Sequence, residues 1–139
     1  GKKNKGFLPV ISRVPKDHHS LLQLYLDGPK DKLFYIFSHE QKSKEKINIS
    51  KALKINNFLN KKNLSTVKNA QKKSIIDVFK QKKIPFREFK INKINEEVLG
   101  ELFSYFILET VITGKLASVN PYNQPAVEQV KLKTKKLLS

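Results

Sequence analysis

The chain has 139 residues, which is enough for one domain with a core of its own. It contains no cysteine, so disulfides, thiolate metal sites and cysteine nucleophiles are excluded. Its formal net charge is +16, but of its 28 basic residues only Arg13 and Arg87 are arginines, the type that base-reading proteins favour. We therefore interpret the scattered lysines as a solvated surface, with a basic nucleic-acid-binding protein as a weaker alternative.

The first residues indicate whether the chain is a fragment, and the longest apolar run indicates whether it could span a membrane. The sequence has no methionine and begins Gly-Lys-Lys, which predicts a fragment of a longer protein. The longest apolar run, Val98 to Ile112, contains Glu101 and Glu109 and is too short for a membrane span. Since no secretory signal is found either, the expected compartment is the cytoplasm.

Three apolar segments predict β-strands. Phe7 to Ser12 is short and β-branched, and Pro9 favours an edge position or the start of the strand because proline cannot donate to a ladder. Lys32 to Ser38 is apolar throughout, as in a parallel strand covered on both faces. Ile84 to Ile91 alternates partially and indicates a strand nearer an edge.

Two helical regions are predicted in the first two thirds of the chain. A leucine-rich helix follows a loop at residues 15–20 and stops at Asp27-Gly28-Pro29, where glycine suits the C-cap. Residues Asn48 to Lys83 predict one or two helices, with Ile55, Phe58 and Leu59 forming one apolar group.

Two more helices complete the chain. Asn95 predicts the N-cap of a helix that runs to about Leu116 and is apolar almost all round, which indicates a central or interface position. The last helix is expected from Pro125 to Leu138, since proline suits the first helical position. The alternation of strands and helices predicts an α/β fold. We expect one domain over residues 1–139, with a three-layer, mostly parallel sheet of at least three strands and helices on both faces.

Gln124 and Lys131 are the first candidate site residues. They are separated by about two helical turns, roughly 10 Å along the axis, and share one face of the last helix. An amide and an ammonium lining one cleft suit a small, polar, anionic ligand. The competing interpretation is an amide that caps the helix and a solvated lysine.

His18 and His19 are the second candidate, in the run Asp17-His18-His19-Ser20 at a helix start. The positive end of a helix favours the neutral imidazole, which suits general acid–base work. The competing interpretation has Asp17 or Ser20 as N-cap beside exposed histidines. A metal site is not expected, because His39 would be the only further ligand of this kind within reach.

Other chemistry is less specified. Glu101, Glu109 and Glu128 lie on the last two predicted helices, and their spacing alone singles out none of them as a base. The sequence has no dinucleotide-binding glycine motif, P-loop or nucleophile elbow.

Three separated motifs resemble the phosphoglucose isomerase (glucose-6-phosphate isomerase) family, in the family's order. They are His19-Ser20-Leu21-Leu22-Gln23-Leu24 with Asp27-Gly28-Pro29, then Leu108-Glu109-Thr110-Val111-Ile112, then the segment from Asn120 to Lys131. Residues 39–83 match only loosely. The chain thus resembles the C-terminal part of a bacterial member, which implies part of a sugar-isomerase (SIS-type) domain.

The resemblance implies a reaction and assigns roles. Glucose 6-phosphate and fructose 6-phosphate would be interconverted through ring opening and an enediol, without a cofactor, in glycolysis and gluconeogenesis. His19 would assist ring opening from the neighbouring subunit of a homodimer, with His18 as the second choice. Gln124 would contact the substrate, and Lys131 would assist ring opening and stabilise developing negative charge.

The resemblance is incomplete in two respects. Asn123 stands where the family often has aspartate. The family's glutamate base and its phosphate-binding loops match no segment here, so we expect the isolated chain to be inactive. The alternatives are a non-catalytic sugar-phosphate-binding module and, less favoured, a basic nucleic-acid-binding α/β protein; no membrane partner is expected.

Overall fold

The computed structural model describes residues 2–40, 42–48 and 57–139. Its elements in chain order are α1 (Lys16–Asp27), β1 (Phe34–His39), α2 (Leu64–Gln81), β2 (Phe86–Ile91), α3 (Glu96–Leu116) and α4 (Pro125–Leu138). Short 3-10 turns cover Lys2–Asn4 and Asn57–Leu59. The chain forms two compact units, one from Val10–Ile94 and one from Gly1–Pro9 with Asn95–Ser139.

The sheet of the described residues has two parallel strands, in register from Phe34 opposite Phe86 to His39 opposite Ile91. The predicted mixed α/β class with parallel strands is confirmed. The expected third strand, Phe7 to Ser12, is wrong: among the described residues this segment has no ladder partner, and Phe7 is 91% exposed. An apolar run becomes a strand only where a neighbour takes its backbone hydrogen bonds, and Pro9 has no N–H to offer.

The core of the unit Val10–Ile94 is built on aromatic rings from four elements. Phe79 of α2 is 2% exposed and lies 4.8 Å from Phe34 and 5.9 Å from Phe86, centroid to centroid. Tyr25 of α1 meets Phe34 edge-on at 5.1 Å. Offset and edge-on contacts are the favoured geometries of ring pairs, so these contacts hold both helices against the sheet.

The end of α2 leads directly into β2. The N–H of Lys83 donates to Lys80 O (3.1 Å) and that of Ile84 donates to Phe79 O (2.9 Å), the two bonds of a Schellman motif. Lys83 takes the left-handed conformation that this motif requires, with φ 55°. Ile84 is buried, so the turn also places an apolar side chain in the core.

The prediction for Asn48 to Lys83 is confirmed in part. Residues 49–56, including Ile55, lie outside the described residues. In the part that follows, α2 begins only at Leu64, because Asn63 caps it by accepting a hydrogen bond from the N–H of Thr66 at 2.9 Å.

The predicted bounds of α3 and α4 are confirmed. Asn95 caps α3 through its side chain, which accepts from the N–H of Val98 at 3.1 Å. Several large apolar side chains of α3 are more than half exposed, among them Phe103, Ile107 and Leu108. Within the described ranges, no helix is both long enough and apolar enough to cross a membrane.

Candidate functional site

The first turn of α1 carries His18 and His19. Its N-cap is Pro15, which makes no side-chain capping bond, so neither Asp17 nor Ser20 is the cap. Asp17 instead accepts a hydrogen bond from the N–H of Arg13 at 2.6 Å, because its carboxylate folds back over the preceding loop. This carboxylate also lies in the first helical turn, where the dipole favours negative charge.

The two histidines differ in exposure. The side chain of His19 is exposed and therefore accessible to a ligand or a neighbouring chain. His18 is half-buried, and its Nε2 is enclosed without a hydrogen-bond partner in the described part of the chain. The sequence alone does not separate these roles, because both residues lie in the same turn.

Hydrogen bonds of Asp27 and Gly28 hold the C-terminal end of α1. The carboxylate of Asp27 accepts hydrogen bonds from Lys82 Nζ (2.5 Å) and Gln23 Nε2 (3.0 Å). The hydrogen bond from Lys82, reinforced by its charge, holds the pKa of Asp27 below its ordinary value of 3.8. Gly28 donates its N–H to Leu24 O and sits so close that an added Cβ would lie 2.3 Å from that oxygen.

Gln124 is the N-cap residue of α4, followed by Pro125 at the first helical position. Its carbonyl accepts the first helical bonds, from the N–H groups of Val127 (3.0 Å) and Glu128 (3.2 Å). Its side chain makes no capping hydrogen bond, so the interpretation of Gln124 as a capping amide is wrong. The carboxamide is therefore not committed to the helix.

Lys131 lies on the same helix, and its side chain is 66% exposed. Its Nζ donates to Glu128 Oε1 at 2.7 Å, one turn earlier, so it is an ion-paired rather than a simply solvated lysine. Lys131 borders a shallow surface depression with Val130 and Thr134, and Gln124 does not line it. The structure thus places the two candidates on one helix without enclosing them in one cavity.

The loop between α3 and α4 sets where α4 begins. Ser118 takes a left-handed conformation, φ 55°, and the N–H of Val119 returns to Gly114 O at 2.9 Å. Asn120 Oδ1 then accepts from the N–H of Tyr122 at 2.9 Å, which closes a side-chain turn. These short-range bonds contribute to the order of the loop just before Gln124.

Sequence reasoning missed Lys2, Lys3 and Lys5, whose ammonium groups donate to this loop. No local signal distinguishes them, since they are more than 110 residues from their acceptors. His19 belongs to the other compact unit, Val10–Ile94. In the described ranges, no group of three or more histidine or carboxylate side chains could hold a metal ion.

Named proteins of other organisms align with nearly the whole chain. The chain is 34% identical over 128 residues to a protein of Methanococcus maripaludis named "Probable glucose-6-phosphate isomerase", and 33% identical over 132 residues to the glucose-6-phosphate isomerase of Methanocaldococcus jannaschii. These alignments cover 92% and 94% of this chain. The chain is related to glucose-6-phosphate isomerases. The resemblance drawn from the motifs is confirmed.

The likeness extends to part of each isomerase only. The aligned segments are 28% and 32% of these two relatives, and 34% of the isomerase of Mycoplasma capricolum, which is 31% identical over 143 residues. The chain therefore spans about a third of the isomerases it matches, as expected for a C-terminal fragment. No family model matches the chain.

A solved structure shares the fold. The crystal structure of a hypothetical protein from Thermus thermophilus superposes with a TM-score of 0.76 at 26% identity. The match covers 91% of this chain and 31% of that protein. As with the isomerases, this chain corresponds to about a third of a longer relative.

Proposed function

We propose that the chain is part of a glucose-6-phosphate isomerase that interconverts glucose 6-phosphate and fructose 6-phosphate. The observation that carries this is the 33% identity to the Methanocaldococcus jannaschii isomerase across 94% of the chain. The three motifs on which the resemblance rests lie between His19 and Lys131, and the alignment covers 94% of the chain. The proposed domain is a sugar-isomerase (SIS-type) α/β domain that continues beyond these residues.

The proposed roles follow the chemistry of the side chains. His19 assists ring opening by moving a proton to or from the ring oxygen, and its exposed imidazole supports this. Gln124 contacts the substrate through a carboxamide that the helix does not use. Lys131 stabilises the oxygen that becomes negative in the enediol step, as a preorganised ammonium does.

Glu128 has a supporting part in this scheme. Its carboxylate accepts a hydrogen bond from Lys131 Nζ at 2.7 Å, which fixes the ammonium at one place along α4. A long, flexible lysine side chain otherwise loses rotamer freedom when it binds a ligand. The ion pair thus pre-orders Lys131 before substrate arrives.

The isolated chain is expected to be inactive. Moving a proton between C1 and C2 needs a base, and holding the phosphate needs donors, and we assign neither to these 139 residues. Because the chain spans about a third of its relatives, we propose that another segment of polypeptide supplies both. We also propose a homodimer in the cytoplasm, with the exposed apolar side chains of α3 at or near the subunit contact.

The test is a chimera in which the chain replaces the matching third of the Methanocaldococcus jannaschii isomerase. Turnover of fructose 6-phosphate is followed by coupling glucose 6-phosphate to NADPH formation, and folding is checked by thermal melting. We expect the chimera to turn over. We expect Lys131→Ala to reduce kcat by about 100-fold, the scale of a lost electrostatic donor.

Lys133→Ala is the matched control, because Lys133 is an exposed lysine two positions along the same helix. It should change kcat less than about twofold, since a surface charge remote from the reacting atoms contributes little. A folded chimera without turnover that still binds fructose 6-phosphate would favour the sugar-phosphate-binding alternative. Equal losses in the two variants would remove Lys131 from the proposed mechanism.

A further inference from the structure

Lys2 joins two points of the turn that precedes Gln124. Its Nζ donates both to the carbonyl of Asn120 and to Oδ1 of Asn123. An ammonium has three donors, so one group can hold both acceptors at once. The two acceptors bracket the turn, and Asn123 is bonded directly to Gln124 in the chain.

Lys3 and Lys5 hold the beginning of the same loop. Lys5 Nζ donates to Ala117 O at 2.9 Å and Lys3 Nζ donates to Ser118 O at 3.2 Å. Ala117 is the C-cap of α3, where free carbonyls and the helix dipole attract positive charge. We call Lys2, Lys3 and Lys5 the lysine clamp.

The backbone of the clamp has an unusual shape. Lys3 and Asn4 both take left-handed conformations, with φ 53° and 56°, and the N–H of Lys5 donates to Lys2 O at 3.0 Å. Left-handed backbone is unfavourable for residues other than glycine, so it persists where other contacts compensate. This tight turn places the side chains of Lys2, Lys3 and Lys5 against the loop between α3 and α4.

We propose that Lys2 is a positioning residue for Gln124, an inference that rests on the function proposed above. The carboxamide of Gln124 makes no capping bond, so its direction depends on the backbone of the turn before it. That backbone is set by Lys2 at Asn120 and Asn123. The clamp therefore determines where the substrate-contacting amide lies.

If Lys2 served only the stability of the fold, its replacement would lower the melting temperature without a specific effect on the turn or on substrate affinity. Its bonds are exposed, and exposed hydrogen bonds contribute little to global stability. The inference is therefore tested by the order of the turn and by substrate affinity rather than by melting temperature. The variants are Lys2→Met, which keeps the apolar stem, and Lys2→Arg, which keeps two donors for two acceptors.

The first experiment is amide hydrogen exchange by NMR on the 139-residue chain. The N–H of Tyr122, bonded to Asn120 Oδ1, should exchange about three- to tenfold faster in Lys2→Met. Lys2→Arg should restore the original rate. Lys133→Met serves as the control, because Lys133 is an exposed lysine within α4.

A second variant reports on the other acceptor. Asn123→Asp turns a neutral acceptor into a charged one, so the bond from Lys2 becomes charge-assisted and stronger. Exchange at Tyr122 should slow in Asn123→Asp and return to the original rate or faster when Lys2→Met is added. Additive effects of the two substitutions would show no coupling and overturn the inference.

The second experiment measures kinetics in the chimera. Loss of a contact made equally by substrate and transition state raises KM and leaves kcat unchanged, so Lys2→Met should raise KM by about three- to tenfold. Lys2→Arg should return KM to its original value. Unchanged exchange at Tyr122 together with unchanged KM would overturn the positioning role while leaving the isomerase proposal intact.

An inactive but folded chimera would instead count against the proposed function. In that case the exchange rates of the isolated chain still decide whether Lys2 holds the turn. Faster exchange that Lys2→Arg reverses supports the clamp, and rates equal to those of Lys133→Met refute it. The two proposals thus fail by different measurements.

Discussion

Lys82, the C-cap residue of α2, donates a hydrogen bond to Asp27, the last residue of α1. A carboxylate at a helix C-terminus is unfavourable beside the exposed carbonyls, and the ammonium of Lys82 offsets that interaction. The pair therefore connects the ends of the two helices that pack on the sheet. Since α1 also carries His19, the contact bears on where this histidine lies.

Replacing Lys82 should change the titration of Asp27. The hydrogen bond from Lys82 is the main cause of the lowered pKa, so Lys82→Gln is expected to move the pKa of Asp27 up toward 3.8. The contribution of the pair to stability is present above that ordinary pKa and is lost as the pH falls through the folded-state pKa. Side-chain carboxyl NMR titration measures the shift, with Lys80→Gln as control; an unchanged pKa of Asp27 would contradict the role of Lys82.

Gly28 should not tolerate a side chain. A Cβ there would lie 2.3 Å from Leu24 O, a backbone atom that cannot move without opening the helix end. Gly28→Ala is expected to lower the free energy of unfolding by about 2 kcal/mol, the scale of strain at a crowded site. Urea denaturation measures this loss.

Gly100 provides the opposite control in α3, because nothing lies within 4 Å of an added Cβ there. Gly100→Ala should raise the free energy of unfolding by about 0.5–1 kcal/mol through helix propensity. If both substitutions destabilise the chain equally, the close approach at Gly28 is not the cause.

Replacing Lys83 by glycine should stabilise the folded chain. Its left-handed φ of 55° is unfavourable with a Cβ, and the Schellman motif ordinarily uses glycine at this position. Lys83→Gly is expected to raise the free energy of unfolding by about 1 kcal/mol. Lys80→Gly, inside the last turn of α2, should lower it by a similar amount in the same urea experiment.

Substitutions of His18 and His19 should have different effects on kcat in the chimera. His19→Ala is expected to reduce kcat by about 10²-fold or more, the usual scale of a lost proton-transfer group. His18→Ala removes the half-buried ring and should leave kcat within about threefold if His19 is the acid–base group. The reverse ranking would assign ring opening to His18.

The elements with strong end signals were predictable from sequence. Asn95 at one helix start and Pro125 at another define α3 and α4, and the structure confirms their bounds. Phe7 to Ser12 was not predictable as coil, because strand formation depends on a partner that local composition does not reveal.

Only those relationships in the candidate site that depend on local spacing in the sequence were predictable. The spacing of Gln124 and Lys131 places them on one helix, because helical periodicity is local. The pairing of Lys131 with Glu128 also follows from i,i+3 spacing, which sequence reasoning overlooked. Contacts such as that of Lys2 with Asn123 join residues 121 apart and depend on the folded backbone.

The parallel pairing of β1 and β2 has a consequence for how the chain is made. Phe34 pairs with Phe86, so this ladder cannot form until the ribosome has released the segment of β2, which lies fifty-two positions later in the sequence. During that interval an apolar strand with two open edges is available to other nascent chains. Production of the protein is therefore expected to depend more on chaperones and on synthesis temperature than its final stability would indicate.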